Sequence, residues 1–242
     1  MSRDSELENL LGKTEGEVFE RATLKSIWKL MNNGIIDSFD FPISTGKEGT
    51  VFRARCKDEF IAVKIYRINT ATFRSISKHL MYNPPKNMRK DRRSIIFAWA
   101  FREFTNLHKL HRAGVRVPRP LAREGNVIAM EYIGTEEQPA PLLKDAEIKN
   151  AEKLFNMIRE YLRRMYCKAR LIHSDLSSYN ILVHKQEPVI IDVGQTVGTD
   201  HPMAMTFLER DIANISQFFR RFISVDEEEI KRYIIRCKNE VC

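Results

Sequence analysis

Nowhere does the 242-residue sequence hold the roughly 18 uncharged apolar residues that a membrane-spanning helix needs; the longest candidate, Ser94 to Phe101, stops at Arg102. A transmembrane protein is excluded on that reading, and no membrane partner is expected. The first residues, Met1-Ser2-Arg3-Asp4-Ser5-Glu6, are polar and mixed in charge and lack the apolar core of a secretory signal, so a cytoplasmic location is expected. Cysteine is scarce: Cys56, Cys167, Cys237 and Cys242 form no CxxC pair and are too few for a disulfide framework or a zinc ribbon. Reduced structural thiols are expected. Internal repeats and low-complexity tracts are missing too. Hydrophobic residues make up 43% and charged residues 30%, which excludes disordered, collagen-like and coiled-coil classes. What remains is a folded chain long enough for one domain or two tightly joined lobes.

Charge is present and unevenly placed. Between Arg67 and Arg93 stand Arg67, Arg74, Lys78, Lys86, Arg89, Lys90, Arg92 and Arg93 against Asp91 alone, +7 of the chain's net +8. Such a block is either a solvated flexible loop or a docking surface for an acidic partner, of which phosphate-rich nucleic acid is the commonest. Asn83-Pro84-Pro85 denies it one long helix.

Around this block the texture changes along the chain. Val18, Phe19, Ala22, Ile27, Leu30 and Met31 follow helical spacing and end at Asn32-Asn33-Gly34, giving a helical extension over 1–34. Strand-like runs follow at Ile35-Ile36, Phe39 to Ile43, Thr50 to Ala54 and Phe60 to Tyr66. Ser94 to Leu110 reads as a helix with Ala100, Glu103, Leu107 and Leu110 on one face, and Val127 to Met130 as a short strand. The Gly134 to Pro141 stretch reads as a connection, dividing an N-terminal lobe, 35–133 with a basic insertion at about 67–93, from a C-terminal lobe, 134–242. Helices are expected over Ala151 to Lys168, Met205 to Phe222 and, behind a Ser224/Glu227 capping box, the last segment. Strands early and helices late predict an α+β chain in two lobes.

Chemistry concentrates in His173-Ser174-Asp175-Leu176-Ser177-Ser178-Tyr179-Asn180 and, beyond a hairpin turning at Gln186-Glu187-Pro188, in Ile191-Asp192-Val193-Gly194. Pairing the two apolar runs sets Asn180 opposite Asp192, with Cα atoms about 4.5–5.5 Å apart. Two hard oxygen donors at one strand end suit Mg²⁺ shared with phosphate oxygens, and Asp175 could then accept a proton from an attacking hydroxyl. Each residue alone would pass for a loop cap or a strand end. The spacing Asp-Leu-x-x-x-Asn, followed after twelve residues by Asp-x-Gly, selects the functional reading. Upstream, Ser44-Thr45-Gly46-Lys47-Glu48-Gly49-Thr50-Val51 is similar to a kinase Gly-x-Gly-x-x-Gly-x-Val loop with Ser44 replacing the first glycine, although Gly46 and Gly49 could serve an ordinary hairpin turn. Ile61-Ala62-Val63-Lys64 matches Val-Ala-Ile-Lys. Lys64 among apolar residues needs a partner, and Glu103 on the apolar helix face is favoured over a solvated edge charge.

These residues resemble a protein-kinase fold, and more narrowly the RIO family of atypical serine/threonine protein kinases, type 1 branch. The resemblance covers about Ile43 to Phe222. It rests on Ser44-Thr45-Gly46-Lys47-Glu48, His173 to Asn180 and Ile191-Asp192-Val193-Gly194-Gln195, with His201-Pro202 and Phe207-Leu208-Glu209-Arg210-Asp211 downstream. It implies a bilobal α+β fold with an N-lobe sheet and one helix, a mainly helical C-lobe, and no activation or peptide-docking segments. It implies Asp175 as catalytic aspartate, Asn180 and Asp192 as holders of Mg²⁺ (Mn²⁺ as a substitute), Lys64 on ATP phosphates and Glu103 orienting Lys64. Ser44, Gly46, Lys47, Glu48, Gly49 and Val51 would form the phosphate loop. Met130, Glu131 and Ile133 would form the hinge, with Glu131 and Ile133 offering backbone groups to adenine. An ATPase-like cycle in which Asp192 transiently takes the phosphate is also implied, as is a role in small ribosomal subunit maturation, with the subunit precursor and its rRNA as partners. Ser174 and Ser178 replace the branch's usual alanine and glutamate, and Gly194 and Thr196 stand where small hydroxyl residues are common.

Two further readings stay open: a nucleotide-gated RNA- or ribosome-binding module without turnover, and a small-molecule phosphotransferase on the same fold. The last would need an acidic substrate pocket, yet Gln195 to His201 offers only Asp200. His108 and His111 lack a third ligand and do not suggest zinc. Arg159, Arg163, Arg164, Lys168 and Arg170 read equally as an RNA-facing flank or a solvated one.

Overall fold

Alternation decides which face of a sheet each residue of the Phe60 to Tyr66 run occupies. The computed structural model describes residues 20–69, 73, 76, 89 and 91–237. The helical reading of Val18 and Phe19, and most of the basic segment, lie outside them. The chain forms two compact units, the first running to Phe104 and including Arg119–Tyr132, the second comprising Thr105–Pro118 and the chain from Ile133. No described helix is long and apolar enough to cross a membrane.

In the first unit α1 (Arg21–Asn32) precedes β1 (Ser38–Thr45), β2 (Gly49–Cys56) and β3 (Glu59–Tyr66); α2 (Arg92–Arg112), whose residues from Thr105 on belong to the second unit, β4 (Pro120–Glu124) and β5 (Val127–Glu131) follow. The five strands pair antiparallel in the order β1-β2-β3-β5-β4. Ile61, Val63 and Ile65 with Val127 and Ala129 pack on Ile27, Leu30 and Met31 of α1. On the opposite face Tyr66 and Ile128 pack on Ile95, Ile96, Trp99 and Ala100 of α2. The sheet is therefore a filled layer between two helices. α1 ends in a Schellman motif, with Gly34 at φ +68°, its N–H on Met31 O and the Ile35 N–H on Leu30 O. β1 tolerates Pro42 because it is an edge strand with register shifts on either side of Phe41-Pro42. β4, absent from the sequence reading, is a half-buried edge strand opened by proline, with little apolar alternation to reveal it.

The second unit contains α3 (Ala151–Arg164), β6 (Leu171–Ile172), β7 (Ile181–His184), β8 (Glu187–Ile190), β9 (Val197–Gly198), α4 (Ala204–Phe219) and α5 (Glu227–Ile235). Asn150 caps α3 by accepting the Lys153 N–H at 2.8 Å. Leu154, Phe155, Ile158 and Leu162 are its buried stripe, and Phe155 meets Phe219 of α4 with ring centroids 5.1 Å apart. The helix does not run to Lys168. It passes at Met165–Ala169 into a π-helical turn, which Arg170 closes in a left-handed conformation.

Two other expectations are corrected near the C-terminus. Asp226, rather than Ser224, caps α5, because its carboxylate reaches the N–H groups of Glu228 and Glu229 at 2.9 and 3.1 Å. Cys167 and Cys237 are not reduced thiols but form a disulfide, their Cα atoms 5.4 Å apart across 70 residues of sequence. That proximity comes from the return of α5 to the π turn, which cysteine spacing does not encode.

Candidate active site

Ser44 and Thr45 belong to β1, and Gly49 and Val51 to β2, so the connection is only Gly46-Lys47-Glu48, shorter than the loop read from sequence. The Gly46 N–H donates to Gly49 O at 2.9 Å, and Arg67 ties the turn through its N–H to Glu48 O (2.8 Å) and its guanidinium to Gly46 O (3.0 Å). A Cβ on Gly49 would lie 2.1 Å from Ile65 O, so glycine is demanded there by the neighbouring strand. Gly46 has no such constraint, its nearest contact being 3.8 Å.

Lys64 on β3 lies on the α2 side of the sheet, where its Nζ donates to Oε1 of Glu103 at 2.9 Å. Glu103 is 2% exposed, and the Tyr66 hydroxyl donates to its Oε2. Met130 pairs with Ala62 and Pro120 across β5's two neighbours. The Glu131 N–H is taken by Arg119 O at 2.8 Å, and its carboxylate accepts the Arg119 N–H at 3.1 Å. Ile133 O accepts the Ala140 N–H at 3.0 Å, so the group Ile133 could offer a ligand is its N–H.

In the second unit Asp175 is exposed on a loop whose backbone is anchored on both sides of it. Asp211, fully buried on α4, accepts the Ser174 N–H on Oδ2 and the Leu176 N–H on Oδ1, both at 2.8 Å. Arg210 donates to Ser174 O, and Asn214 to Leu176 O at 3.0 Å. Ser174 holds a left-handed backbone at φ +68°, and its hydroxyl donates to Gln195 O at 2.8 Å. His173, fully buried, has its Nε2 3.0 Å from Ile191 O. Burial pushes the Asp211 carboxyl above its ordinary range, against the opposing pull of His173 and the two backbone N–H groups.

Asn180 donates its amide to Asp175 O at 2.6 Å, which joins it to the same loop. The hairpin register differs from expectation. Ile181 pairs with Ile190, and the Ile191 N–H donates to Asn180 O at 3.0 Å, so Ile191 and not Asp192 stands opposite Asn180. The turn is Lys185-Gln186, with φ +52° and +63°, and Glu187-Pro188 already belongs to β8. Asp192 leaves the strand in a left-handed conformation, φ +61°, and opens a 3₁₀ turn over Val193–Gln195. Asn106, buried on α2, secures that turn by donating to Val193 O at 3.0 Å and Thr196 Oγ1 at 2.5 Å. Only Val193 to Met203 separates Asp192 from α4, which leaves no room for a long activation segment.

The donor chemistry fits Mg²⁺: the Asn180 amide nitrogen is fixed on Asp175, which leaves its oxygen as a hard donor, and Asp192, just beyond the partner strand, supplies an exposed carboxylate. Among the described residues there is no group of three His, Cys, Asp or Glu placed to hold a metal ion. Arg163 and Arg164 both bind Glu160, and Arg159 covers the Tyr233 ring at 4.5 Å, so much of the basic α3 flank is used within the fold.

Sequence reasoning gave no role to Tyr66, Asn106 or Asp211. The signal was present for Asp211: an acid three residues after Leu208 and four before Ile215 lies on α4's apolar stripe. Asn106 likewise sits three residues from Glu103 and four from Leu110.

A RIO-domain family model matches residues 50–232. The RIO-type serine/threonine-protein kinase Rio1 of Haloferax volcanii is 44% identical over 211 residues, covering 86% of this chain and 72% of the relative. Rio1 of Methanocaldococcus jannaschii is 39% identical over 224 residues, covering 92% and 77%. Among solved structures, the Rio2 kinase-ADP/Mg²⁺-phosphoaspartate complex from Chaetomium thermophilum superposes with a TM-score of 0.68 at 22% identity, covering 89% of this chain and 67% of that one, a likeness of fold. By its matched domain and its relatives, the chain belongs to the RIO family of serine/threonine-protein kinases.

Proposed function

We propose that the protein transfers the γ-phosphate of ATP to a serine or threonine hydroxyl, with Asp175 as the base. The observation that carries this reading is the anchoring of Asp175: both flanking N–H groups end on Asp211 and its own carbonyl on Asn180, while its carboxylate stays exposed. A base held this rigidly at the surface is suited to accept a proton from an incoming hydroxyl. Lys64, oriented by Glu103, would bind ATP phosphates, with Ser44, Gly46, Lys47, Glu48, Gly49 and Val51 as the phosphate loop. Met130 and Glu131 would border adenine, and Ile133 would donate its N–H to the base. Asn180 and Asp192 would hold Mg²⁺, or Mn²⁺ in its place, which when bound neutralises phosphate charge.

A second fate for the phosphate is suggested by the likeness to the Rio2 complex, whose description includes a phosphoaspartate. An Asp192 oxygen would form the new bond to Pγ as the bond to the bridging oxygen breaks and ADP leaves. Water would then hydrolyse the acyl phosphate to inorganic phosphate and return Asp192. The basic segment Arg67 to Arg93 supports rRNA of the small ribosomal subunit precursor as the partner.

The test is turnover beside equilibrium ATP binding for Asp175→Asn. Turnover is expected to fall at least about 100-fold, the scale of a lost general base, with ATP affinity kept within about threefold. Lost affinity with undiminished turnover per bound ATP would overturn the assignment.

A further inference from the structure

Lys64 and Tyr66 are two residues apart on β3, so strand alternation sets both on the face that α2 covers. Tyr66 is 1% exposed. Its ring packs with Ile95, Ile96, Trp99 and Ile128, a setting that phenylalanine would satisfy equally. The hydroxyl is what phenylalanine lacks, and it donates to Oε2 of Glu103 while Oε1 of the same carboxylate takes Lys64 Nζ at 2.9 Å. Lys64 Nζ also lies 4.9 Å from the Tyr66 ring centroid. Ammonium, carboxylate and phenol are therefore in mutual contact.

The terminal torsion of a glutamate side chain is soft, so a carboxylate held by one oxygen can turn and carry its partner with it. Held by both oxygens, it cannot. Tyr66 is itself immobilised: its N–H donates to Asn126 O at 3.0 Å, its carbonyl accepts the Asn126 side-chain amide at 2.6 Å, and Asn126 reaches Thr23 Oγ1 of α1 at 2.8 Å. On the other side β2 crowds it, since a Cβ on Gly49 would come within 3.0 Å of the Tyr66 Cα.

We propose that Tyr66 is a positioning residue of the nucleotide site: its hydroxyl fixes the Glu103 carboxylate, and thereby the Lys64 ammonium, where the phosphates of ATP are bound. This rests on the reading of Lys64 as the phosphate contact. Tyr66 thus acts on the polyphosphate part of the ligand and not on the nucleoside.

Equilibrium binding of ATP and of adenosine to the full chain tests this, with wild type, Tyr66→Phe, Lys64→Met and the double variant. Tyr66→Phe is expected to weaken ATP binding about tenfold, or about 1.4 kcal/mol, and to leave adenosine binding unchanged. The double variant is expected to bind ATP no more weakly than Lys64→Met alone, because the hydroxyl works through the lysine. Unchanged ATP affinity in Tyr66→Phe, with Lys64→Met impaired, would overturn the proposal and leave the Lys64 reading intact. Equal losses of ATP and adenosine would overturn it in favour of a packing role. ATP affinity insensitive to Lys64→Met would overturn the Lys64 reading itself. Glu103→Gln keeps the test available if Tyr66→Phe does not fold: the same ATP-selective loss is expected, and full ATP affinity would count against the proposal.

Discussion

Replacing Asp211 with alanine removes the acceptor of two buried N–H groups, those of Ser174 and Leu176, each bonded at 2.8 Å. A buried donor left unsatisfied costs about 1–3 kcal/mol, so the pair sets a range of about 2–6 kcal/mol. Burial of the carboxylate, which pushes its pKa up, offsets part of this, and the expected loss is about 2–4 kcal/mol. Against a typical total of about 5–15 kcal/mol that is large. Asp211→Asn keeps one acceptor oxygen but turns an NH₂ toward the other N–H, so it should lose less stability and most of the activity. Urea denaturation supplies the free energies, and amide exchange at Ser174 and Leu176 reports whether the loss is local. The pH dependence has a definite sign. Because the folded-state pKa is raised, wild-type stability falls as pH climbs from the ordinary carboxylate value of 3.8 through the folded value, and the asparagine variant lacks that fall. The gap between them should be wider in acid than at neutrality. An alanine variant destabilised by less than about 1 kcal/mol, with unaltered exchange at both amides, would refute the reasoning.

Gly49→Ala should destabilise by about 1–3 kcal/mol or more in thermal melts, since its Cβ would press on Ile65 O, whereas Gly46→Ala should leave stability unchanged and lower ATP affinity alone. Glu160, held by Arg163, Arg164 and the Tyr233 hydroxyl, has its carboxyl lowered to about 2. Its contribution should therefore be complete above pH 4.5 and fade as pH falls toward 2, read as a shrinking stability difference between wild type and Glu160→Gln. Changing Lys86, Arg89 and Lys90 to alanine should weaken rRNA binding at every sequence and flatten the log affinity against log salt slope by up to about 2, as phosphate contacts to a single strand are lost. An unchanged slope would remove the basic segment from the RNA interface.

What the sequence made legible follows from periodicity. The match of Ile61-Ala62-Val63-Lys64 to Val-Ala-Ile-Lys set Lys64 among apolar residues where its charge needs a partner, and the helical stripe of α2 offered Glu103 as that partner; the 2.9 Å pair is the outcome. The hairpin below Asp175 was legible as a hairpin but misjudged in register by one residue. Its left-handed turn is made by lysine and glutamine, which carry none of the Asn-Gly signal such turns usually show. Asp211 stood in the Phe207-Leu208-Glu209-Arg210-Asp211 signature but was given no role, because its partners are backbone N–H groups more than 30 residues away, contacts with no side-chain signature. The Cys167–Cys237 bridge was hidden for a similar reason, since packing alone brings its ends together.

The most direct test of phosphoryl transfer follows the γ-phosphate of labelled Mg²⁺-ATP, with wild type beside Asp175→Asn, in the presence and absence of small ribosomal subunit precursor particles. Label should move in the wild type to protein hydroxyls, or through an acyl phosphate on Asp192 to inorganic phosphate, and its transfer to hydroxyls should be lost in the variant. If ATP binds but no label moves even with particles present, the enzyme account is contradicted, and a nucleotide-gated RNA-binding module describes the protein instead.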